Sequence, residues 1–452
     1  MAEKQIGPAV DLARLQRFKQ KADATYVSST DLNNTLNDYA TKAELDAIVT
    51  ESGYFPVFDS WEHTTSAIAN DLGPSLMPVG TRLTLPWTVT NGNKVYDMIL
   101  DTAQHKTAML ENGTTGKVMI SQTHHVLPFA MEFSPQQALL YAVTNIPEGT
   151  YNITMGFTWG SNVVNGKTYQ FTLTNPVPAG GQLTGFLRAP DTAPSTWRVY
   201  SYESKTSTTP IETAVVTEGT SGTNLGTFTA SGSSETVTIG SISFKGLNSM
   251  HRVAYGNNRY KDSPIRQYLN ATGSNWWTPS TDFDRPPSYA SHKGFLSGFD
   301  EGFVSALVPI AVKTALNYVT DGSPATGSIT YDTTYDKVFL PSWEEHFLAT
   351  SQYYGGSAGL EGNAFDLWKV MAGTTSPLSA STWGDTSTYH TQYIQYDMNV
   401  QTTPRNTWVR SAGRYDGICV PCVHSQGRCG GNHAYDANCV SAACAIGKSP
   451  QS

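Results

Sequence analysis

Cysteine is the first conspicuous absence, because the chain contains none before residue 419. All five cysteines fall within one short stretch: Cys419, Cys422, Cys429, Cys439 and Cys444. Disulfide frameworks are normally spread along the domain that they staple, and an odd number cannot pair completely within one chain. This distribution argues against a disulfide scaffold and calls for another reason why cysteine is confined here.

Charged residues are also scarce, at 15% of the chain, and the acids outnumber Lys and Arg by 37 to 29. The net charge of −8 argues against nucleic-acid binding, which needs a basic surface. No apolar run reaches the roughly 20 residues that cross a bilayer, so we expect no membrane insertion. Residues 1–8 lack an apolar segment, and we expect no signal peptide.

Aromatic residues and glycine are abundant, with 23 Tyr, 17 Phe, 10 Trp and 39 Gly. Together with the low charge, this composition predicts a β-rich, loop-rich extracellular protein. Such a protein without a signal peptide must leave the cell by another route. Cell lysis with a virus particle is one such route.

Residues 1–52 predict a helical stalk for oligomerisation, most simply as a homotrimer. Two narrow apolar seams have helical spacing there: Leu12, Leu15 and Phe18, then Leu32, Leu36 and Tyr39. Seams this narrow cannot form a core alone and need partner chains. The alternative is an ordinary N-terminal helix packed on its own domain.

The rest of the chain divides into three predicted parts, which complete an α+β fold. Residues 53–135 are β-rich, since Leu83, Leu85 and Trp87 alternate with polar residues. Residues 136–245 predict a β-sandwich-like spacer. Residues 246–452 contain a helix start at Ser263 and Pro264, a further helical stretch within 295–317 and a short buried strand near 338–342.

Several sequence strings resemble known phage proteins. The stretch YATKAEL at 39–45 is similar to the stalk of phage tail and head fibres. Further strings, in order, are YGNNRY at 255–260, IRQYLN at 265–270, WW at 276–277, DRPP at 284–287, GFL at 294–296, DKVFLPS at 336–342, WVRS at 408–411 and VSAACAI at 440–446. They resemble the C-type-lectin-fold proteins of gut phages and their hosts, many of which are variable proteins of diversity-generating retroelements. This chain departs from them after Val440, where Ser441 and Ala442 replace the usual Arg-Pro pair.

The resemblance implies a C-terminal ligand-binding face that adenine-directed mutagenesis rewrites. Such mutagenesis of Asn codons cannot produce Lys, Glu, Trp, Met or Gln. Residues 413–439, the variable segment, contain none of the first four and just one Gln, Gln426. The same process produces Cys. The candidate ligand-binding residues are Arg414, Tyr415, Asp416, Cys419, Cys422, His424, Arg428, Cys429, Asn432, His433, Tyr435, Asp436, Asn438 and Cys439. We expect the non-cysteine members to lie exposed on one face and the flanking Trp408, Val409, Val440 and Ile446 to be buried.

Two of the cysteines also fit other chemistry. Cys419 and Cys422 form a CxxC that suits a redox dithiol or half of a zinc site, but diversified residues explain it more simply. On that interpretation, replacing the four cysteines of the segment by Ser should barely change stability. The adjacent Glu344 and Glu345 predict helix capping rather than an acid/base couple. Arg410 predicts a framework salt bridge or carbonyl clamp.

These observations predict a phage receptor-binding protein, not an enzyme, without cofactor or metal. It would be a virion fibre protein made in the host cytoplasm. Its partners would be other fibre or baseplate proteins and a bacterial surface receptor, either protein or glycan. The alternatives are an enzyme on the same fold, such as a sulfatase-activating oxidase with a cysteine pair, and a structural decoration protein.

Overall fold

The computed structural model describes residues 60–89, 94–156, 166–185, 198–228, 234–239, 242–247, 249–325, 328–346, 361–373, 393–414 and 416–449. These residues form 24 strands and six short helices, so the protein is β-rich. The predicted α+β class with an N-terminal helical stalk is therefore wrong, because mainly strands bury the apolar side chains of the described residues. The predicted stalk itself, residues 1–52, lies outside the described residues.

The helices of the described residues have nine residues or fewer. They are α1 (Trp61–Ala69), α2 (Gly73–Leu76), α3 (Met250–Tyr255), α4 (Pro264–Asn270), α5 (Glu301–Ala306) and α6 (Asp366–Ala372). The predicted start of α4 is confirmed, because the Ser263 hydroxyl accepts a hydrogen bond from the Arg266 amide and Pro264 opens the helix. The stretch 295–317 holds the short helix α5 and then turns into a strand.

The strands follow the chain in short segments. They are β1 (Arg82–Val89), β2 (Lys94–Met109), β3 (Thr115–Thr123), β4 (Met131–Glu132), β5 (Leu140–Ala142), β6 (Gly149–Met155), β7 (Thr168–Leu173), β8 (Gln182–Gly185), β9 (Arg198–Tyr202), β10 (Glu212–Val215), β11 (Thr217–Glu218), β12 (Thr223–Phe228), β13 (Ser234–Ile239), β14 (Ile242–Leu247), β15 (Ile310–Ala315), β16 (Tyr331–Asp336), β17 (Val338–Phe339), β18 (Gln395–Tyr396), β19 (Pro404–Arg405), β20 (Thr407–Trp408), β21 (Cys419–Val423), β22 (Cys429–His433), β23 (Ala437–Asn438) and β24 (Ala443–Gly447).

The main sheet has the strand order β1-β2-β3-β24-β17. Its antiparallel first pair confirms the predicted alternation, since Leu83, Leu85 and Trp87 of β1 are buried and the residues between them are exposed. Each such side chain contributes about 1.5–3 kcal/mol on burial. Strand β24 lies between β3 and β17, so a late segment of the chain completes the middle of a sheet that an early segment begins.

The buried apolar side chains of the described residues form two separate clusters. The first cluster, the outer core, consists of residues from two separate parts of the chain, Ile68 to Phe133 and Tyr260 to Ile446. The inner core contains residues from Leu139 to Ala254. It lies with a six-stranded sheet, β10-β9-β8-β5-β14-β13, and a four-stranded sheet, β11-β7-β6-β12. The inner core is therefore an insertion within the outer one.

The two ends of the insertion meet. The Gln137 amide donates a hydrogen bond to the Arg252 carbonyl at 3.1 Å. Gly256 has a φ of 82°, and a Cβ on it would lie 2.3 Å from the Ser134 carbonyl oxygen. Only glycine fits such a close backbone approach in this conformation. The chain thus leaves and re-enters the outer core at neighbouring points.

Candidate ligand-binding site

The variable segment folds mainly as a hairpin of β21 and β22. The pairing sets Cys419 opposite His433 and Val420 opposite Asn432. Strand β20 adds to the other side of β21. Val420, Cys422 and Val423 are buried in the outer core, so packing fixes the position of β21.

The residues that flank the segment hold it in place. Trp408, Val409, Val440 and Ile446 are all 0% exposed, which confirms the prediction for each of them. The Trp408 indole N–H also donates to the Met131 carbonyl at 2.8 Å. These contacts anchor the segment at both ends.

Asn258 fixes the loop that leads into the hairpin. Its buried Nδ2 lies 3.0–3.1 Å from the carbonyl oxygens of Gly413, Asp416 and Cys419. The Asp416 carboxylate in turn accepts hydrogen bonds from the amides of Ile418 and Cys419 at 2.9 and 2.6 Å. Asn258 belongs to the YGNNRY string, but the sequence does not indicate that its side chain holds this loop.

Three half-exposed rings form what we call the aromatic patch: Tyr255, His433 and Tyr435. The Tyr255 and His433 rings stack with centroids 4.1 Å apart, and the His433 and Tyr435 rings are 6.2 Å apart and nearly parallel. The Tyr435 amide donates to the Tyr255 carbonyl at 3.0 Å. The patch therefore joins the hairpin to the end of α3, where the insertion returns to the outer core.

Charged groups border the aromatic patch. The Asp436 carboxylate accepts from the His433 amide at 3.0 Å and lies 3.9 Å from the His433 ring nitrogen Nδ1. Burial lowers the pKa of the neighbouring His251, whereas the charge of Asp416 raises it. The site therefore combines flat aromatic faces with the carboxylates of Asp416 and Asp436, and all of these groups are partly exposed to solvent.

Most of the predicted site residues are half-exposed in the structure. This group comprises Asp416, Cys419, His424, Arg428, Asn432, His433, Tyr435 and Asp436. Tyr415 and the Cys429 side chain lie outside the described residues. Tyr255 and His251 join the site although the sequence interpretation missed them, because they come from α3 and reach the hairpin only through the fold.

Arg414 and Asn438 are buried, at 2% and 5% exposure, so the expectation that they lie exposed is wrong. The Arg414 guanidinium points inward and donates to the Pro324 carbonyl at 2.5 Å. The Asn438 amide oxygen accepts from Asn432 at 3.1 Å. Both side chains are occupied in holding neighbouring loops.

The cysteines do not form a reactive pair. Residues three apart on a strand point to opposite faces, and Cys419 is half-buried whereas Cys422 is fully buried. Cys419, Cys439 and Cys444 are free thiols. Burial raises the pKa of Cys419, of Cys439 to about 11 and of Cys444 to about 12, so these thiols are protonated at neutral pH. Within the described ranges, no three His, Cys, Asp or Glu residues cluster as metal ligands would.

A second polar site surrounds Arg410. Its guanidinium bonds the carbonyls of Lys313, Leu340 and Glu361 and pairs with Glu345, which confirms the predicted framework role. Ser342 and Glu345 exchange backbone-to-side-chain hydrogen bonds at 3.0 and 3.1 Å, as in a capping box. The predicted helix capping is nevertheless wrong, because residues 343–346 form a turn and no helix begins there.

Glu361 completes this second site from a distant segment. Its carboxyl accepts from the Ala315 amide at 2.6 Å and from the Ser411 hydroxyl. Burial raises the pKa of Glu361 to about 7, against the opposing effect of the Arg410 charge. Sequence reasoning missed this residue, since only the fold brings it to Arg410.

Comparison with known proteins gives one match. Residues 234–447 match a family model described as a domain of unknown function (DUF6273). No curated protein and no solved structure matches the chain. The matched region contains the hairpin, the aromatic patch and the Arg410 site, together with the last two strands of the insertion. Among the described helices, none has the length and apolarity to cross a bilayer.

Proposed function

We propose that this chain is a receptor-binding protein that attaches a phage particle to a bacterial surface through the aromatic patch and its surrounding polar residues. The observation that carries this proposal is the half-exposed stack of Tyr255, His433 and Tyr435 beside Asp416 and Asp436. The resemblance to phage fibre proteins supplies the biological setting. In that setting the chain is a virion protein, most simply a homotrimer.

The geometry suits recognition rather than chemistry. Rigid aromatic rings offer large contact area at little entropic cost, and neighbouring polar groups supply hydrogen bonds. Here the packing of β21 in the outer core and the backbone hydrogen bond between Tyr435 and Tyr255 fix the ring positions. Ligand binding at such a site would lose little conformational entropy. Several copies on one particle would raise a modest affinity per site.

The alternative of an oxidase that uses a cysteine pair has less support. Its nucleophile would be a thiolate. Cys419 and Cys422 face different sides of a strand, and burial raises the pKa of Cys419. A structural decoration protein would need no ligand site, and only binding measurements separate it from a receptor-binding protein.

The test is binding of the labelled full chain to a panel of gut bacteria. Tyr435→Ala and His433→Ala should each weaken binding by roughly tenfold or more, because a stacked aromatic group at a contact centre contributes about 2 kcal/mol. Tyr335→Ala is the matched control, since Tyr335 is 37% exposed on β16, away from the patch. Its binding should stay within about twofold.

Two results would overturn the proposal. One is binding that survives the double replacement of Tyr435 and His433 unchanged while the fold is intact. The other is an absence of binding to every strain in the panel, which would favour the decoration protein.

A further inference from the structure

A cavity of about 270 Å³ lies beside the Arg410 site. We call it the charged cavity, because its polar lining consists mainly of Lys106, Lys313, Arg410, Glu345, Glu361 and Asn363. Lys313 and Asn363 are exposed and mark its mouth, whereas Arg410, Glu345 and Glu361 lie deep. At about 30 Å³ for each water, the volume equals roughly nine waters. That space is enough for a single sugar ring.

Lys106 brings to this cavity a cation that forms no ion pair with the described residues. Its ammonium has no carboxylate within 4 Å and no hydrogen-bond acceptor among the described residues. Glu345 and Arg410 act on it only as charges at longer range. Burial lowers the pKa of Lys106, as expected for an ammonium that is partly removed from water. A buried ammonium normally has a partner, so its environment favours an incoming anion.

Arg410 adds a spare donor. Its Nε–H and both Nη1 hydrogens are used by Lys313, Leu340 and Glu345, and one Nη2 hydrogen is used by the Glu361 carbonyl. A guanidinium has five N–H groups. The second Nη2 hydrogen has no acceptor within the described part of the chain.

The two carboxyls of the lining offset only part of the charge of its three cationic groups. One oxygen of Glu345 is bound by Arg410 and the Ser342 amide. Both oxygens of Glu361 are occupied by Ala315 and Ser411. Three cationic groups thus face two carboxyls, and the raised pKa of Glu361 leaves it partly protonated near neutral pH.

We propose that the charged cavity binds a small hydroxylated monocarboxylate, with the size and chemistry of one uronic acid residue. The ligand carboxylate would meet Lys106 and the spare N–H of Arg410, and Lys313 would contact it at the mouth. Glu345 Oε1, which accepts no hydrogen bond from the described residues, and the Asn363 amide suit ligand hydroxyls. A phosphate dianion fits less well, because it would place two charges against Glu345 and Glu361.

This site is separate from the aromatic patch, and the inference goes beyond the proposed function without resting on it. Calorimetric titration of the full chain with sodium D-glucuronate tests it, with D-glucose as the neutral probe and inorganic phosphate as the competing anion. We expect glucuronate to bind with a millimolar or tighter dissociation constant, and both other probes to bind at least about tenfold more weakly.

The variants locate the site. Lys106→Met keeps the aliphatic stem and removes the charge, so it should weaken glucuronate binding by roughly tenfold or more. Lys313→Met, at the exposed mouth, should weaken it by about threefold and serves if Lys106→Met folds poorly. Lys117→Met is the matched control on neighbouring β3, where Lys117 pairs with Asp71 instead. It should bind as the unaltered protein does, and so should Tyr435→Ala.

Any of four results would overturn the inference. They are no glucuronate binding up to about 10 mM, glucose binding as tightly as glucuronate, phosphate binding more tightly than either, and unchanged affinity in both cavity variants.

Discussion

The Arg410 guanidinium and the Glu345 carboxylate form an ion pair at 2.5 Å in which the two side chains are only 1% and 4% exposed. Burial opposes ionisation of the acid, but the Arg410 charge and hydrogen bond hold the pKa of Glu345 below its usual value. The pair is charged throughout the physiological range. Removing either partner leaves the other as an uncompensated buried charge.

Arg410→Met should therefore lower the free energy of unfolding by about 3–5 kcal/mol. The variant loses the ion pair and also leaves three backbone carbonyls without their donor. Urea titration followed by tryptophan fluorescence measures the change. Arg82→Met is the control, because Arg82 pairs with Asp101 but its side chain is 61% exposed, and its loss should stay below about 1 kcal/mol. Similar losses in the two variants would contradict the buried pair.

Glu361→Gln should become more stabilising, relative to the unaltered protein, as the pH rises. The folded pKa of about 7 lies above the unfolded value of 4.5, so the unfolded chain loses its proton first. The stability that Glu361 contributes is present below pH 4.5 and is lost as the pH rises through 7. Gln cannot ionise, so the difference should grow by about 3 kcal/mol between these limits. Urea midpoints at pH 4.5, 6 and 8 test this.

The exposed Glu111→Gln variant is the control for that series, and its difference from the unaltered protein should be the same at each pH. A Glu361→Gln difference that is also independent of pH would mean that Glu361 ionises normally in the folded state.

His346→Phe should have the opposite pH dependence. Burial lowers the pKa of His346 to about 4, and the ring packs against Trp368 with centroids 5.1 Å apart. Neither ring nitrogen has a hydrogen-bond partner among the described residues. The folded pKa lies below the unfolded value of 6.5. The stability due to the neutral ring is thus present above pH 6.5 and is lost as the pH falls through 4. The phenylalanine variant lacks this loss.

Thermal unfolding between pH 7 and 4 measures the effect. The advantage of His346→Phe over the unaltered protein should increase by about 3 kcal/mol as the pH falls. His63, exposed on α1, provides the control replacement His63→Phe. A constant difference across this range would show that His346 titrates as a solvent-exposed histidine does.

Cys422→Ser should destabilise the protein by about 1–3 kcal/mol, because it puts a hydroxyl into an apolar core. Cys422 is 0% exposed within the outer core, whereas Cys419 is only half-buried at the start of the same strand. Cys419→Ser should therefore cost under about 1 kcal/mol. Denaturant unfolding compares the two. The sequence-based expectation is that replacing all four cysteines of the variable segment by Ser barely changes stability, and equal small losses in these two variants would support it.

Local patterns were read correctly where burial follows a short period. The alternation of Leu83, Leu85 and Trp87 gave β1, and Ser263 with Pro264 gave the start of α4. The helical stretch predicted within 295–317 is present, but it is a helix of only six residues, and β15 follows it. Short apolar runs fit either period, and pairing with β16 decides the outcome.

Long-range contacts could not be predicted in this way. Glu361 reaches Arg410, and Tyr255 reaches His433, only because distant segments pack together. The residue types that adenine-directed mutagenesis can produce indicate a segment, but they do not indicate which of its side chains are buried. The predicted exposure of Arg414 and Asn438 is wrong for this reason. The predicted division into 53–135, 136–245 and 246–452 stays a prediction, as does the oligomeric stalk.

The position of β24 in the main sheet means that β3 gains its second neighbour only late in synthesis. The side chain of Gln122 on β3 bonds Ser441, just before β24, and these residues are 319 positions apart. At about 5–20 residues per second, a ribosome needs tens of seconds to supply the second partner. The insertion, complete by Ala254, emerges well before that. One edge of β3 stays unpaired until β24 is synthesised, and an unpaired strand edge promotes aggregation. Chaperone demand during production should therefore depend on how quickly the last strand is translated.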